Sequence, residues 1–292
     1  MSLVLTRPTT VAQAVDDLSV EDALVLAGGQ SIVLLMNAGL SQPARLVSLA
    51  EVGELRGVHR DGTTLDVGAM CTHDELARHQ EIRSALPSLA RMFDRVGNIR
   101  VRCAGTVGGN LVHADPAQDP PVLLAALGAT ATVVGPASPR DIAVEEVALG
   151  PLYASLEENE ILTRIRLPIP QHRSGAHYIK FLPGTQDDYA TVSIGVHLEL
   201  DDADQVRSAR IVAGASGPTP MVLAEAADAL VGNDPTDQEL LGTIGEIARD
   251  GVEPSSDRRG SADYKRAMAA VVTRRAIQAC ISDIATTSRR SE

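Results

Sequence analysis

Short apolar runs alternate with turns along the first part of the chain, and this pattern predicts a small α/β unit. A buried strand is expected over residues 23–27, a helix over 31–37 and a second strand over 44–48. The stretch 57–67 predicts a β-hairpin, because Asp61-Gly62 separates two runs of alternating residues.

The middle of the chain predicts short helices and two further strands. Thr72 and Glu75 have the spacing of a capping box, which favours a helix through residue 79. A helix is expected over 87–95 and a long loop over 97–110. After Pro120-Pro121 we expect a helix over 122–127, followed by strands over 130–134 and 161–167.

The pattern changes after the prolines of the polar stretch 168–174, which mark a domain boundary. Apolar runs over 177–181, 190–200 and 206–213 predict an antiparallel meander of three strands. Helices are expected over 221–230, 237–249 and 261–281.

The predicted fold class is α+β. We expect a first domain over 1–172, built from two α/β subdomains at about 1–56 and 57–172. A second domain over 173–284 combines the antiparallel sheet with helices, and residues 285–292 form a frayed tail.

Composition narrows the class of protein. With 292 residues, 44% hydrophobic and 22% charged, the chain suits a soluble globular protein of about two domains. The net charge of −12 argues against nucleic acid as a partner. No apolar run reaches the ~18 residues of a membrane span, and the N-terminus lacks signal-peptide features, so we expect a cytoplasmic protein.

The three cysteines, Cys71, Cys103 and Cys280, are far apart and form no C-x₂-C pair. We therefore expect no zinc or iron–sulfur site in this chain and assign no metal ligands. The spacing of acids, bases and nucleophiles also predicts no catalytic pair or triad, so no catalytic residue is assigned.

Two glycine-rich turns carry the strongest chemical signal, one at residues 27–31 and one at 105–110. Paired glycines suit a backbone that takes positive φ or approaches another group closely. Exposed N–H groups beside Ser, Thr or Asn side chains form an anion-binding concavity. Two such turns predict a diphosphate ligand held from both sides, although neither matches the Rossmann or P-loop pattern.

Polar residues follow the second turn. His113 has no ligand partner at metal-binding spacing. Asp119 either accepts a ribose hydroxyl or caps the helix that follows it, and both readings stay open. That helix, beginning near Pro121, is expected to direct N–H groups at a bound phosphate.

Three motifs together resemble the FAD-binding subunit of the molybdenum hydroxylases. They are Ala-Gly-Gly-Gln-Ser-Ile at 27–32, Val-Arg-Cys-Ala-Gly-Thr-Val-Gly-Gly-Asn at 101–110, and His-Ala-Asp-Pro-Ala-Gln-Asp at 113–119. The family includes the medium subunit of carbon monoxide dehydrogenase and the flavin domain of xanthine dehydrogenase. The resemblance extends over nearly the whole chain, including Ser-Ala-Asp-Tyr-Lys-Arg at 261–266. It implies a p-cresol-methylhydroxylase-type FAD-binding domain.

The resemblance implies two walls around the FAD diphosphate. The first wall is formed by Val25, Leu26, Ala27, Gly28, Gly29, Gln30, Ser31 and Ile32. The second wall is formed by Thr106, Val107, Gly108, Gly109 and Asn110.

Five further positions match cofactor contacts of the family. Asp119 matches an acid that contacts the cofactor, and Val96 an apolar residue near the flavin ring. Leu162 matches an adenine-side contact and Lys180 a basic residue near the cofactor. Tyr189 falls where relatives place a tyrosine against the isoalloxazine, the alternative being an ordinary aromatic residue at the start of a strand.

One departure from the family pattern lies before the second turn, where Cys103 and Ala104 replace an Asn and an Arg. The missing cation is expected to alter the flavin potential or the docking of a partner.

The family implies an oxidoreductase subunit whose FAD carries the chemistry. A large molybdenum-pterin subunit and a small subunit with two [2Fe-2S] clusters are the implied partners, in a dimer of heterotrimers. Electrons then pass from those clusters through FAD to an external acceptor. A self-contained flavin oxidase, an NADH-dependent flavin reductase and a non-enzymatic nucleotide-sensing subunit are the alternatives. The substrate (carbon monoxide, an N-heterocycle, an aldehyde or a purine) and the acceptor stay open.

Overall fold

The computed structural model describes residues 3–170, 173–184 and 188–291. The first unit contains five elements: β1 (Val4–Thr6), α1 (Val11–Leu18), β2 (Ala23–Leu26), α2 (Ile32–Asn37) and β3 (Arg45–Ser48). The three strands form a parallel sheet in the order β1-β3-β2. Helix α1 covers one face, where Val15 and Leu18 pack with Val47.

The predicted elements β2, α2 and β3 are confirmed to within a residue or two. Strand β1 and helix α1 were not predicted. Three residues are too few to show a strand period, and α1 depends on its cap, where the Thr10 hydroxyl accepts a hydrogen bond from Gln13 N at 3.2 Å.

The second unit is built on a five-stranded antiparallel sheet in the order β4-β5-β10-β6-β7, beside a two-stranded pair, β8 and β9. Its strands are β4 (Val58–Asp61), β5 (Thr64–Gly68), β6 (Thr130–Val134), β7 (Arg140–Ala143), β8 (Ala148–Gly150), β9 (Tyr153–Ala154) and β10 (Ile161–Pro168). Its helices are α3 (His73–Arg78), α4 (Gln80–Ala85), α5 (Pro87–Phe93), α6 (Ile99–Ala104), α7 (Val107–His113) and α8 (Pro120–Ala126).

The predicted hairpin and the capping box of Thr72 and Glu75 are both confirmed. The long loop expected over 97–110 is wrong, because this stretch contains α6 and α7. Each helix is too short to show a hydrophobic period and begins at a side-chain cap. Asn98 accepts from two backbone N–H groups of α6, and Thr106 accepts from Gly109 N.

The C-terminal unit is an antiparallel sheet in the order β11-β12-β13-β14 with helices packed on it. Its elements are β11 (Ser174–Phe181), β12 (Val192–Leu200), β13 (Val206–Gly214), β14 (Met221–Val222), α9 (Ala224–Asp228), α10 (Gln238–Asp250) and α11 (Ala262–Ser291).

The meander is confirmed, with two corrections around it. Met221 and Val222 pair with β13 as a fourth strand, so the helix expected from residue 221 begins only at Ala224. Helix α11 continues to Ser291 in place of the expected frayed tail.

Helix α8 joins the second unit to the C-terminal sheet, lying against β12 and β13. Close approach depends on Gly195, where a Cβ would lie 2.9 Å from Val122 O. The Arg210 guanidinium donates from Nε to Ala125 O at 2.6 Å near the end of the same helix. These contacts fix the residues just before α8, which belong to the candidate site. No helix in the described ranges has the length and apolar character to cross a membrane.

Candidate functional site

The structure brings the two glycine-rich turns into direct contact. A Cβ added to Gly28 would overlap the carbonyl oxygen of Ala104, and a Cβ on Gly109 would lie 3.2 Å from Ala27 Cβ. The first turn connects β2 to α2, and the second connects α6 to α7. The two turns therefore form a shared wall in which backbone packs against backbone, and a diphosphate held from both sides stays a prediction.

The second turn uses its own N–H groups for internal support. At the start of α7, Val107 N donates to Cys71 O at 3.0 Å and Gly108 N to Ala69 O at 2.9 Å. A Cβ on Gly108 would lie 2.6 Å from Ala69 Cβ, so this glycine is required by packing. These N–H groups are already paired and are not free to hold an anion.

The first turn, in contrast, presents free donors. Within the described part of the chain, the backbone N–H groups of Gly28, Gly29, Gln30, Ser31 and Ile32 have no hydrogen-bond acceptor. Gly29 has φ of +71°, a left-handed conformation that favours glycine. Successive unpaired N–H groups around such a residue form a concavity that suits phosphate oxygens.

Two buried amide oxygens also lack a partner among the described residues: Asn110 Oδ1 in the second turn, and Gln118 Oε1 one residue before Asp119. Buried polar atoms are normally hydrogen-bonded, so an orphaned pair indicates missing partners. Together with the free N–H groups, these atoms fit a ligand that brings both anionic oxygens and hydrogen-bond donors, as FAD does.

Asp119 does not cap α8 and instead forms a buried polar cluster. Its carboxylate accepts from Tyr178 Oη at 2.6 Å and from Lys180 Nζ at 2.9 Å, and the Asp119 and Lys180 side chains are each 5% exposed. Burial raises the pKa of Asp119, against the opposing effects of Lys180 and Tyr178. The helix-cap alternative is therefore wrong.

The N-terminus of α8 has fewer donors for a phosphate than expected, and such a contact stays a prediction. The helix begins with Pro120 and Pro121, which have no N–H, and both are buried.

Tyr178 was missed by sequence reasoning. The sequence pattern that could have identified it is the alternation of side chains along β11. Tyr178 and Lys180 lie on the same face of this strand, and both reach Asp119.

Tyr189 is 43% exposed. Its pKa is raised first by burial of the hydroxyl and then by the charges of Asp115 and, more weakly, Asp119. The Arg259 guanidinium, also missed by sequence reasoning, lies over the ring with 5.4 Å between its Cζ and the ring centroid.

The other matched positions are less accessible. Val96 and Leu162 are buried in the core of the second unit, so a cofactor contact from either one stays a prediction. Cys103 is exposed on α6, and Ala104 contributes its carbonyl oxygen to the contact with Gly28. Within the described residues, no group of three or more metal-ligating side chains comes together.

His73 is a buried residue that supports the second turn. Its side chain is 1% exposed and stacks on Phe93 with 5.7 Å between ring centroids, and its backbone N–H donates to Gly105 O at 3.1 Å. Burial lowers the pKa of His73 to about 4, and the nearby charge of Arg102 adds to the effect.

We expect this histidine to weaken the fold in acid. Below pH 6.5 the unfolded chain binds a proton that the folded chain does not bind until about pH 4, so the free energy of unfolding falls as the pH drops through that window. The loss is about 3 kcal/mol by pH 4. Urea denaturation between pH 7.5 and 4.5 measures it. His73→Phe should flatten the profile, whereas the exposed-site control His59→Gln should follow the wild type. Equal slopes in all three proteins would contradict the assignment.

The fold and the paired turns define a subunit that holds a dinucleotide-type cofactor, and comparisons identify its class. Residues 1–170 match the model of the FAD binding domain in molybdopterin dehydrogenase, and residues 177–280 match that of the CO dehydrogenase flavoprotein C-terminal domain. The chain belongs to this family and is an FAD-binding medium subunit of the molybdenum hydroxylases.

Relatives of several activities resemble it over nearly their whole length. The carbon monoxide dehydrogenase medium chain of Afipia carboxidovorans is 34% identical, covering 93% of this chain and 94% of the relative. The caffeine dehydrogenase subunit beta of a Pseudomonas species is 30% identical, covering 93% and 92%. The solved carbon monoxide dehydrogenase from Hydrogenophaga pseudoflava superposes with a TM-score of 0.93 at 32% identity, covering 97% and 98%.

Proposed function

We propose that this chain is the FAD-carrying electron-transfer subunit of a molybdenum-containing dehydrogenase, taking electrons from the [2Fe-2S] clusters of a partner subunit and delivering them to an external acceptor. The observation that carries the proposal is the row of unpaired N–H groups from Gly28 to Ile32, held against the second glycine turn. When bound, FAD supplies the redox chemistry, while the protein binds and orients it.

Each part of the site has a distinct role in this proposal. The first turn donates its free N–H groups to the diphosphate, and α7 supports that turn from behind. Asn110 offers its unpaired amide oxygen to a hydroxyl or N–H group of the cofactor. The Asp119–Lys180 pair provides a rigid polar floor, and Tyr189 places its ring against the isoalloxazine.

The surface beside the first turn supports the presence of partner subunits. No residue of α2 is buried, and Leu34 and Leu40 are 67% and 76% exposed. No charged residue occurs between Asp22 and Arg45. An uncharged apolar surface of this kind is typical of an interface. We propose that partner subunits cover it, the assembly containing a large molybdenum-pterin subunit and a small iron–sulfur subunit in a dimer of heterotrimers.

The substrate of the assembly stays open, since relatives include dehydrogenases named for carbon monoxide and for caffeine. The substrate pocket is proposed to lie in the large subunit. This chain then determines which external acceptor receives the electrons.

Purification of the chain from its own host, with its associated subunits, tests the proposal. We expect flavin absorbance at about one FAD per chain, co-purifying iron and molybdenum, and reduction of the flavin by the substrate of the complex. The isolated chain, loaded with FAD, should not oxidise an organic substrate. Rapid reduction of the isolated chain by NADH would favour a self-contained reductase, and a colourless complex would overturn the proposal.

A further inference from the structure

Arg259 covers one face of Tyr189 and is held in place by a second contact. Its guanidinium lies over the phenol ring at 5.4 Å and pairs with Asp188 at 2.9 Å. The Arg259 Nε atom is buried and has no hydrogen-bond partner among the described residues. The ring and the Asp188 carboxylate are therefore the interactions that orient this cation.

Asp188 connects the two residues directly. One of its oxygens, Oδ1, accepts from Arg259 Nη2 at 2.9 Å and from the backbone N–H of Tyr189 at 2.7 Å. The same carboxylate therefore fixes both the backbone of Tyr189 and the guanidinium that lies over its ring. Rotation of the ring away from its position breaks the contact with Arg259.

The segment that carries Arg259 is anchored to α11. Lys265 Nζ donates to Ser255 O at 3.0 Å and pairs with Asp257 at 2.9 Å, and the Lys265 side chain is buried. Asp257 in turn accepts from Arg259 N at 2.8 Å. These contacts connect Lys265 on α11 to the backbone of Arg259. They therefore restrict the position of Arg259 above the ring.

A tyrosine ring has two faces, and the cation occupies one of them. Tyr189 is 43% exposed, so part of the residue stays open to a ligand. The uncovered face is then the one available for stacking on a flavin.

We propose that Arg259 is a positioning residue for Tyr189: it holds the ring against the isoalloxazine and so restricts the access of small acceptors to the flavin. This inference rests on the proposed function, because it requires FAD to be bound with Tyr189 beside it. In chemical terms, dioxygen that reaches reduced FAD takes two electrons and two protons, giving hydrogen peroxide and FAD.

Arg259→Met tests the inference in the full chain loaded with FAD. An aromatic ring stacked on a flavin quenches its fluorescence, so we expect fluorescence to rise and oxidation of the reduced flavin by dioxygen to accelerate by about fivefold. A cation–π contact at a partly exposed site corresponds to a shift of that size in the population of the closed ring. Arg259→Lys, which keeps the charge, should lie between the variant and the wild type.

The neighbouring Arg258→Met is a matched control, because Arg258 is exposed in the same segment and the substitution removes the same charge. It should leave fluorescence and oxidation rate unchanged. In a Tyr189→Leu background, Arg259→Met should have no further effect on either measurement.

The outcomes separate the two proposals. A wild-type chain that takes up no FAD overturns the proposed function and the inference together. A flavin-loaded wild type with the same fluorescence and oxidation rate as Arg259→Met overturns the inference alone. Equal effects of Arg258→Met and Arg259→Met, or an undiminished effect in the Tyr189→Leu background, also overturn it, because charge or folding then explains the change.

Discussion

Replacing Gly28 by alanine should remove FAD from the protein while the C-terminal domain stays folded. The added methyl group overlaps the carbonyl oxygen of Ala104, a backbone atom that no rotamer change can move away. The turn must therefore move away from α6. This movement changes the arrangement of the N–H groups that we propose to bind the diphosphate. Overpacking of this kind costs about 1–3 kcal/mol of stability.

Two measurements on one preparation test this result: the ratio of flavin to protein absorbance, and the thermal melting curve. Gly53→Ala is the control, since a Cβ there meets nothing within 4 Å and the residue lies in the same half of the chain. It should retain wild-type flavin content. Normal flavin content in Gly28→Ala would show that this turn does not hold the cofactor.

Replacing Lys180 by methionine should produce the second large effect, because it leaves the Asp119 carboxylate buried without its cation. Removing one partner of a buried ion pair costs about 3–5 kcal/mol. The Tyr178 hydroxyl remains as a single donor to that carboxylate. We also expect weaker FAD binding, since the floor of the site loses its fixed geometry.

The pH dependence of this variant has a definite sign. Burial already raises the pKa of Asp119 above its ordinary value, and loss of Lys180 removes an interaction that lowers it. A carboxyl whose pKa is higher in the folded state than in the unfolded state stabilises the fold less as the pH rises. Lys180→Met should therefore be less destabilised at pH 5 than at pH 8.

A double-mutant cycle with Asp119→Leu provides the check. Urea denaturation of the wild type, the two single variants and the double variant gives the coupling between the charges. The double variant should be more stable than Lys180→Met, because no buried charge is left alone. Two single-variant destabilisations that simply add in the double variant would mean that the charges are not coupled in the folded protein.

The sequence predicts those parts of the site that depend on short-range chemistry. The glycine turns were recognisable because paired glycines are costly without a backbone reason, and the structure supplies the reason as contact between Gly28 and Ala104. The alternation along β11 and β12 was likewise sufficient to predict the meander.

Tertiary partners could not be predicted in the same way. Asp119 has the sequence context of a helix cap. Its oxygens instead accept hydrogen bonds from Tyr178 and Lys180, which lie about sixty residues further along the sequence. Helices α6 and α7 are shorter than two full turns and depend on their caps, and α7 also depends on contacts with Ala69 and Cys71. Propensity and period carry too little signal at that length.

The position of Cys103 gives the protein a built-in labelling site. Cys71 and Cys280 are buried, whereas Cys103 is exposed on α6, adjacent to the residue whose carbonyl contacts Gly28. A thiol-directed fluorophore will therefore react at one place, beside the glycine wall, without any engineered substitution. Energy transfer between that dye and the flavin would report the distance from α6 to the isoalloxazine directly, in the free chain and in its assemblies.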